Sequence, residues 1–197
     1  MTTEMPPLET PRLLIRPFSM DDLTAVHQIL DVDLDRVQPG TGASESLHRR
    51  AEWLQWSVLN YAQLANLYQP PYGDRAIVLR SVDRLIGACG FVPCLNPFDQ
   101  LPAFATSANV APGRTSTEFG LFYAVSPAYR RQGFATEAAQ ALADYAFRRL
   151  RLKRIVATTD YGNAASIGVM RSLGMRVERN PLAEPPWLQV VGILEQA

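Results

Sequence analysis

Six consecutive residues, Arg130-Arg131-Gln132-Gly133-Phe134-Ala135, hold the side chains and backbone best suited to chemistry in this sequence. The two arginines offer planar, permanently charged forks that match phosphate oxygens. Gly133 lets the backbone approach a ligand closely, and Ala135 keeps the following turn small. A helix beginning here leaves its first amides without intrahelical acceptors, and its dipole makes that end partly positive. Together these features make an anion cradle, and a pyrophosphate is its natural ligand. No lysine–serine or lysine–threonine pair follows Gly133, which argues against a nucleotide P-loop.

The flanking sequence supplies the elements that position this loop. In Glu118–Val125 the large apolar residues Phe119, Leu121, Tyr123 and Val125 alternate with Glu118, Gly120, Phe122 and Ala124. That is a strand with one core face and one roomier face, ended by Ser126-Pro127. From Thr136 the period turns helical, with Ala138, Leu142, Tyr145 and Ala146 on one stripe. Lys153–Thr159 reads as a second strand, parallel to the first because a helix connects them. Asn163 caps a helix to Leu173 that Gly174 ends.

Upstream, Arg12–Pro17 is a short strand, and Ser19-Met-Asp-Asp22 starts a helix that runs to about Leu30. Asp31, Asp33 and Asp35 fall in a loop through Gly42, read as a solvated acidic stretch. A long helix spans about Ser44 to Leu67, with Trp53 and Trp56 read as core. Arg75–Arg80 and Arg84–Val92 form a hairpin turning at Ser81-Val-Asp83. Pro93–Thr115 is a proline-rich connection, and Met175–Arg179 and Trp187–Leu194 are two closing strands. The predicted fold is α+β (α/β mixed): a mixed sheet flanked by helices on both faces. Residues 1–7 read as a flexible tail and 8–197 as one domain.

Nineteen basic and nineteen acidic residues cancel, so global charge points to neither nucleic acid nor a membrane surface. Cys89 and Cys94 form no metal or redox motif and read as reduced structural thiols. His27 and His48 have no third ligand, and no metal site is predicted. The sequence has no apolar run of spanning length and starts without the pattern of a signal peptide, which suggests a cytoplasmic protein.

The stretch from Glu118 to Ala135 resembles the acetyl-coenzyme A motif of the GNAT superfamily of N-acetyltransferases. The pattern Gln/Arg-x-x-Gly-x-Gly/Ala is met by Arg130, Gly133 and Ala135. Asn163-Ala-Ala-Ser166, followed by Gly174-Met175, is similar to the family's next segment. Leu8–Pro17 resembles the first strand of the branch that acetylates ribosomal-protein N-termini.

The resemblance implies a sheet that is mostly antiparallel, with a splayed parallel pair holding acetyl-CoA. The backbone of Tyr123, Ala124 and Val125 would pair with the pantetheine arm as an added strand does. Arg130, Arg131, Gln132, Gly133, Phe134, Ala135 and Thr136 would hold the pyrophosphate, and Asn163 would reach the pantetheine or adenine side. The acceptor would be a primary amine, with ribosomal proteins among the acceptors admitted, and no DNA. Glu118, where family members carry a base, would take the amine proton. The oxyanion would meet an amide near Val125. Many relatives carry an acidic tyrosine where Met170 stands here, and Ser166 is the nearest hydroxyl to replace it. Trp53 and Trp56 could instead line the acceptor pocket. The Arg148–Arg154 basic cluster suits a helix C-terminus, with ribosomal RNA or the coenzyme's 3′-phosphate as other uses. Pro93–Thr115 reads as an acceptor lid or a homodimer contact. The alternative function is a non-catalytic acyl-CoA sensor, which keeps the cradle without acid or base.

Overall fold

Leu13 and Ile15 enter the core while Leu14 and Arg16 stay half-buried, and this alternation makes Leu13–Pro17 a strand, β2. It follows the short β1 (Leu8–Glu9) and pairs antiparallel with β3 (Asp74–Leu79), which pairs antiparallel with β4 (Arg84–Asn96). The computed structural model describes residues 5–37, 45–105 and 113–196. The expected tail (residues 1–4), the loop at 38–42, Ser44 and the 106–112 part of the proline-rich connection lie outside the described residues. Met5 is buried, and the carbonyls of Met5 and Pro6 accept from the Arg75 guanidinium at 3.3 and 2.9 Å.

The chain packs as two compact units, one comprising Met1–Phe91 and Phe122–Leu142, the other Val92–Leu121 and Ala143–Ala197. In the first unit the helical region runs from Met20 through α1 (Leu23–His27), a π-helical turn at Gln28–Asp33 and α2 (Leu34–Val37). Asp22 starts it by accepting from the Ser19 backbone N–H at 2.9 Å and from Arg16 at 2.8 Å. The Asp31–Asp35 part of the expected acidic loop is therefore helical. Asp31 is fully buried, not solvated, with both oxygens taken by Arg50 at 2.7 and 2.8 Å and a further contact to His27. Burial opposes its charge, but these bonds and the Glu45 amide outweigh it and hold the carboxyl below its usual range.

The long helix α3 (Leu47–Asn66) is capped by Ser46, whose hydroxyl accepts from the Arg49 amide. Trp53 packs edge-on against Phe18 at 5.4 Å, beside Val26, Leu54, Ala76, Val78 and Ala88. Trp56 is the exception to the core reading, at 55% exposed. Next to β4, the end of strand β5 (Ser116–Val125) lies so close that a Cβ on Gly87 would strike the Ala124 carbonyl. Pro127 then starts a single 3-10 turn to Tyr129, and α4 begins at Phe134 and runs to Arg148.

In the second unit β5 meets β6 (Arg154–Thr159) in parallel at Gly120 opposite Val156. β6 pairs along its length with β8 (Val190–Glu195), which pairs with β7 (Arg176–Arg179). β1–β2, β2–β3, β3–β4, β6–β8 and β7–β8 are antiparallel, so the fold is a mixed eight-stranded sheet with one parallel pair. The predicted end of β4 at Val92 is four residues early, because Pro93 does not stop the strand before Asn96. The expected irregular connection is also partly core: Phe98 and Leu101 are fully buried against Val156, Leu188, Val191 and Ile193. The helix α5 (Ala164–Ser172) packs on β6, β7 and β8. Among the described residues no helix is long and apolar enough to cross a membrane.

Candidate active site

The candidate residues fall into two groups, one in each unit. The first unit holds the loop expected to be an anion cradle, residues 130–136. Arg131 and Gly133 both take positive φ, +59° and +80°, and these two left-handed residues turn the chain from the 3-10 turn into α4. A Cβ on Gly133 would find only an Arg12 nitrogen, at 3.4 Å. The backbone there is open, as a phosphate needs. The Glu137 amide makes an i→i−4 bond to the Gly133 carbonyl at 2.9 Å. The amides of Phe134, Ala135 and Thr136 precede that bond, so α4 itself does not use them. Arg131, Gln132 and Gly133 are exposed, Arg130 is half-buried, and Tyr123 and Ala124 are half-buried with Val125 buried beneath them.

Sequence reasoning missed the side chains that brace this loop. Arg12 donates to the Gln132 carbonyl at 2.9 Å and to Glu137 at 2.6 Å, and its guanidinium lies 4.4 Å from the Phe134 ring centroid. The Thr10 hydroxyl adds a bond to Glu137 at 2.6 Å. Burial disfavours the Glu137 charge, yet the Thr10 and Arg12 bonds prevail and hold its carboxyl below the usual range. A negative charge in the first turn of α4 also suits the helix dipole. Thr10 and Arg12 lie in a stretch similar to the family's first strand, but their contact with residue 137 has no local sequence signal.

The second unit holds Glu118, Asn163 and Ser166. The Asn163 side chain caps α5, accepting from the Ser166 amide at 3.1 Å. Ser166 is half-buried in the first turn of that helix. Met170, at the position of the relatives' tyrosine, is fully buried, and a Cβ on Gly192 would come within 3.0 Å of its sulfur. It is a packing residue. Glu118 has 10% side-chain exposure, and both its oxygens accept from Arg154: Oε2 from Nε at 2.9 Å and Oε1 from Nη2. Sequence reasoning assigned Arg154 to a basic cluster at a helix end; the structure ties it instead to two strands.

Burial pushes the Cys94 thiol up to about 11, and the nearby Glu118 charge adds to that; Cys89 is fully buried and its thiol is also pushed up. Neither is set up as a nucleophile at neutral pH. Among the described residues no three His, Cys, Asp or Glu side chains are grouped to hold a metal ion.

Comparison with known proteins agrees with this geometry. Residues 12–176 match the acetyltransferase (GNAT) domain. The uncharacterized N-acetyltransferase YnaD of Bacillus subtilis (strain 168) is 29% identical over 175 residues, covering 87% of this chain and 83% of that protein. The ribosomal-protein-S5-alanine acetyltransferase of Vibrio fischeri has the same fold, with a TM-score of 0.67 at 15% identity over 97% of each chain. Mycobacterium smegmatis RimJ, solved in complex with CoA-disulfide, superposes with a TM-score of 0.62 at 20% identity over 96% of this chain and 86% of its own. The chain belongs to the GNAT acetyltransferase family, and it is an N-acetyltransferase.

Proposed function

We propose that this N-acetyltransferase moves an acetyl group directly from acetyl-CoA to a primary amine, either a protein N-terminus or a small-molecule amine. The observation that carries this reading is the Arg130–Thr136 loop, with Gly133 at φ +80° opening the backbone ahead of α4. The neighbour RimJ is seen in complex with CoA-disulfide, and the Vibrio fischeri neighbour is a ribosomal-protein-S5-alanine acetyltransferase, so a ribosomal N-terminus is a fitting acceptor.

Acetyl-CoA supplies an activated thioester carbon. In this reading the amides of Gln132 to Thr136 and the arginine forks of Arg130 and Arg131 bind its pyrophosphate, while Asn163 contributes from α5. The backbone of Tyr123, Ala124 and Val125 offers the added-strand hydrogen bonds, and an amide near Val125 receives the oxyanion. Glu118 accepts a proton from the acceptor ammonium. The neutral amine then forms the N–C bond as the C–S bond breaks, and the amide nitrogen's surplus proton neutralises the departing thiolate, with Ser166 as the hydroxyl that relays it. A thiol near pKa 8.5 is a good leaving group, so this last step asks little of the protein.

Calorimetric titration of acetyl-CoA into the wild type and an Arg130→Ala/Gly133→Asp double variant tests the cradle. Aspartate at Gly133 forces a left-handed side chain and places a carboxylate beside phosphate. Micromolar binding by the wild type should weaken at least about a hundredfold, roughly 2.7 kcal/mol, in the variant. Wild type that ignores acetyl-CoA, or a variant that binds equally well, sinks the reading. Thiol release with a panel of amines then identifies the acceptor class.

A further inference from the structure

The contacts of Arg154 go beyond those of a surface ion pair. Its Nε and Nη2 take both Glu118 oxygens, its Nη1 reaches Glu195 Oε1 at 3.3 Å, and its guanidinium lies 4.3 Å from the Phe104 ring centroid. Sheet register brings these groups together. With Gly120 opposite Val156 in the parallel pair, the positions two residues earlier, Glu118 and Arg154, are neighbours on the same face. Arg154 also stands directly opposite Glu195 in the antiparallel pair. One arginine thus serves two unequal carboxylates, with side-chain exposures of 10% for Glu118 and 49% for Glu195.

The charges in this cluster, two carboxylates and one guanidinium, sum to −1. An acceptor ammonium makes the sum zero. When its N–H bond breaks and the proton passes to a Glu118 oxygen, the neutral amine and neutral Glu118 leave Arg154 and Glu195 as a balanced pair. Releasing Glu118 therefore does not strand the half-buried Arg154 cation, the costly outcome for a broken ion pair. The Phe104 face also remains to hold the guanidinium.

We propose that Arg154 is a positioning residue for catalysis. It fixes the Glu118 carboxylate in one rotamer, then yields it to the acceptor's ammonium while retaining Glu195. This rests on the reading of Glu118 as the base. Among the described residues Cys94 also faces Glu118: its thiol donates to the Glu118 backbone carbonyl at 3.5 Å and, pushed up to about 11, stays protonated through the neutral range.

The test separates kcat from KM for an amine found by thiol release, beside the carbon-13 shift of the Glu118 carboxyl at fixed pH, assigned by its loss in Glu118→Gln. The variants are Arg154→Met, Arg154→Lys and Glu195→Gln, with acetyl-CoA affinity as a control. Removing the guanidinium that fixes the carboxylate should lower kcat at least about tenfold in Arg154→Met, while KM for the amine changes less. Arg154→Lys should restore part of the difference, and acetyl-CoA affinity should stay within about twofold in both variants. Glu195→Gln commits Arg154 more fully to Glu118, so KM for the amine should rise severalfold while kcat changes less.

If Arg154→Met does not fold, the lysine and Glu195→Gln variants still decide. A kcat that stays put in the lysine variant, with amine KM unmoved in Glu195→Gln, leaves Arg154 a structural pair and overturns the proposal. Glu118→Gln separates the two ideas. An unchanged kcat there removes Glu118 as the base, whereas a fall of about a hundredfold supports the base and leaves Arg154 to stand or fall on its own variants.

Discussion

Asp74 is the residue at which burial and charge are least reconciled. It is 5% exposed at the start of β3, and its Oδ1 meets no donor among the described residues. Burial pushes its carboxyl up to about 6, against the opposing effects of a Trp53 hydrogen bond and the Arg50 charge. Its folded pKa lies above the unfolded value, so its contribution to stability is fully present below about pH 4. That contribution is lost as pH rises through about 6. At about 1.4 kcal/mol per pH unit, the displacement from 3.8 to about 6 limits the loss to about 3 kcal/mol. Asp74→Asn keeps an acceptor for Trp53 and removes the charge. It should stabilise the protein at pH 8 by about 1–3 kcal/mol and flatten the decline between pH 4 and 6 in denaturant melts. An unchanged pH slope would show that Asp74 titrates normally.

Between elements, the cradle depends on contacts far apart in sequence. Arg12, just before β2, ties the Gln132 carbonyl to Glu137 in the first turn of α4, and Thr10 reinforces it. The loop's shape is thus held from outside the motif. Arg12→Ala should raise the acetyl-CoA Kd about tenfold, equivalent to about 1.4 kcal/mol. Arg12 itself is 46% exposed, so the same change should cost at most about 1 kcal/mol of stability. Calorimetry and a thermal melt on one variant separate the effects, and unaltered affinity would mean that the cradle holds its shape without Arg12. Asn163 is a comparable case, since the oxygen proposed to help the cofactor already caps α5.

For the molecule as a whole, the segment after β4 is the least expected source of stability. Phe98 is fully buried, stacks on Phe104 at 5.2 Å and joins a cluster from β6 and β8. A lid that only covered an acceptor would not bury its aromatic side chain so fully. Phe98→Ala should lower stability by about 3–5 kcal/mol in denaturant melts, as large core truncations do. A loss below about 1 kcal/mol would show that Phe98 is peripheral. The Trp187 indole, which donates to Asn96 Oδ1 at 2.8 Å, ties the end of β4 to the chain ahead of β8 in the same unit.

The sequence by itself determined what depends on local pattern. Alternation in Glu118–Val125, the helical stripe from Ala138 to Ala146, the Asn163 cap and the Gly133 turn were all legible, because backbone preference and side-chain period act over a few residues. It also carried the family motif. It could not show that Asp31 lies inside a helix on Arg50, because an acidic run looks the same whether solvated or paired with an arginine 19 residues away. Nor could it show that Arg154 serves Glu118 and Glu195. Those contacts join positions 36 and 41 residues apart, and only strand register decides which charged side chains face one another. Charge in the sequence records that a group is present; the tertiary structure decides what neutralises it.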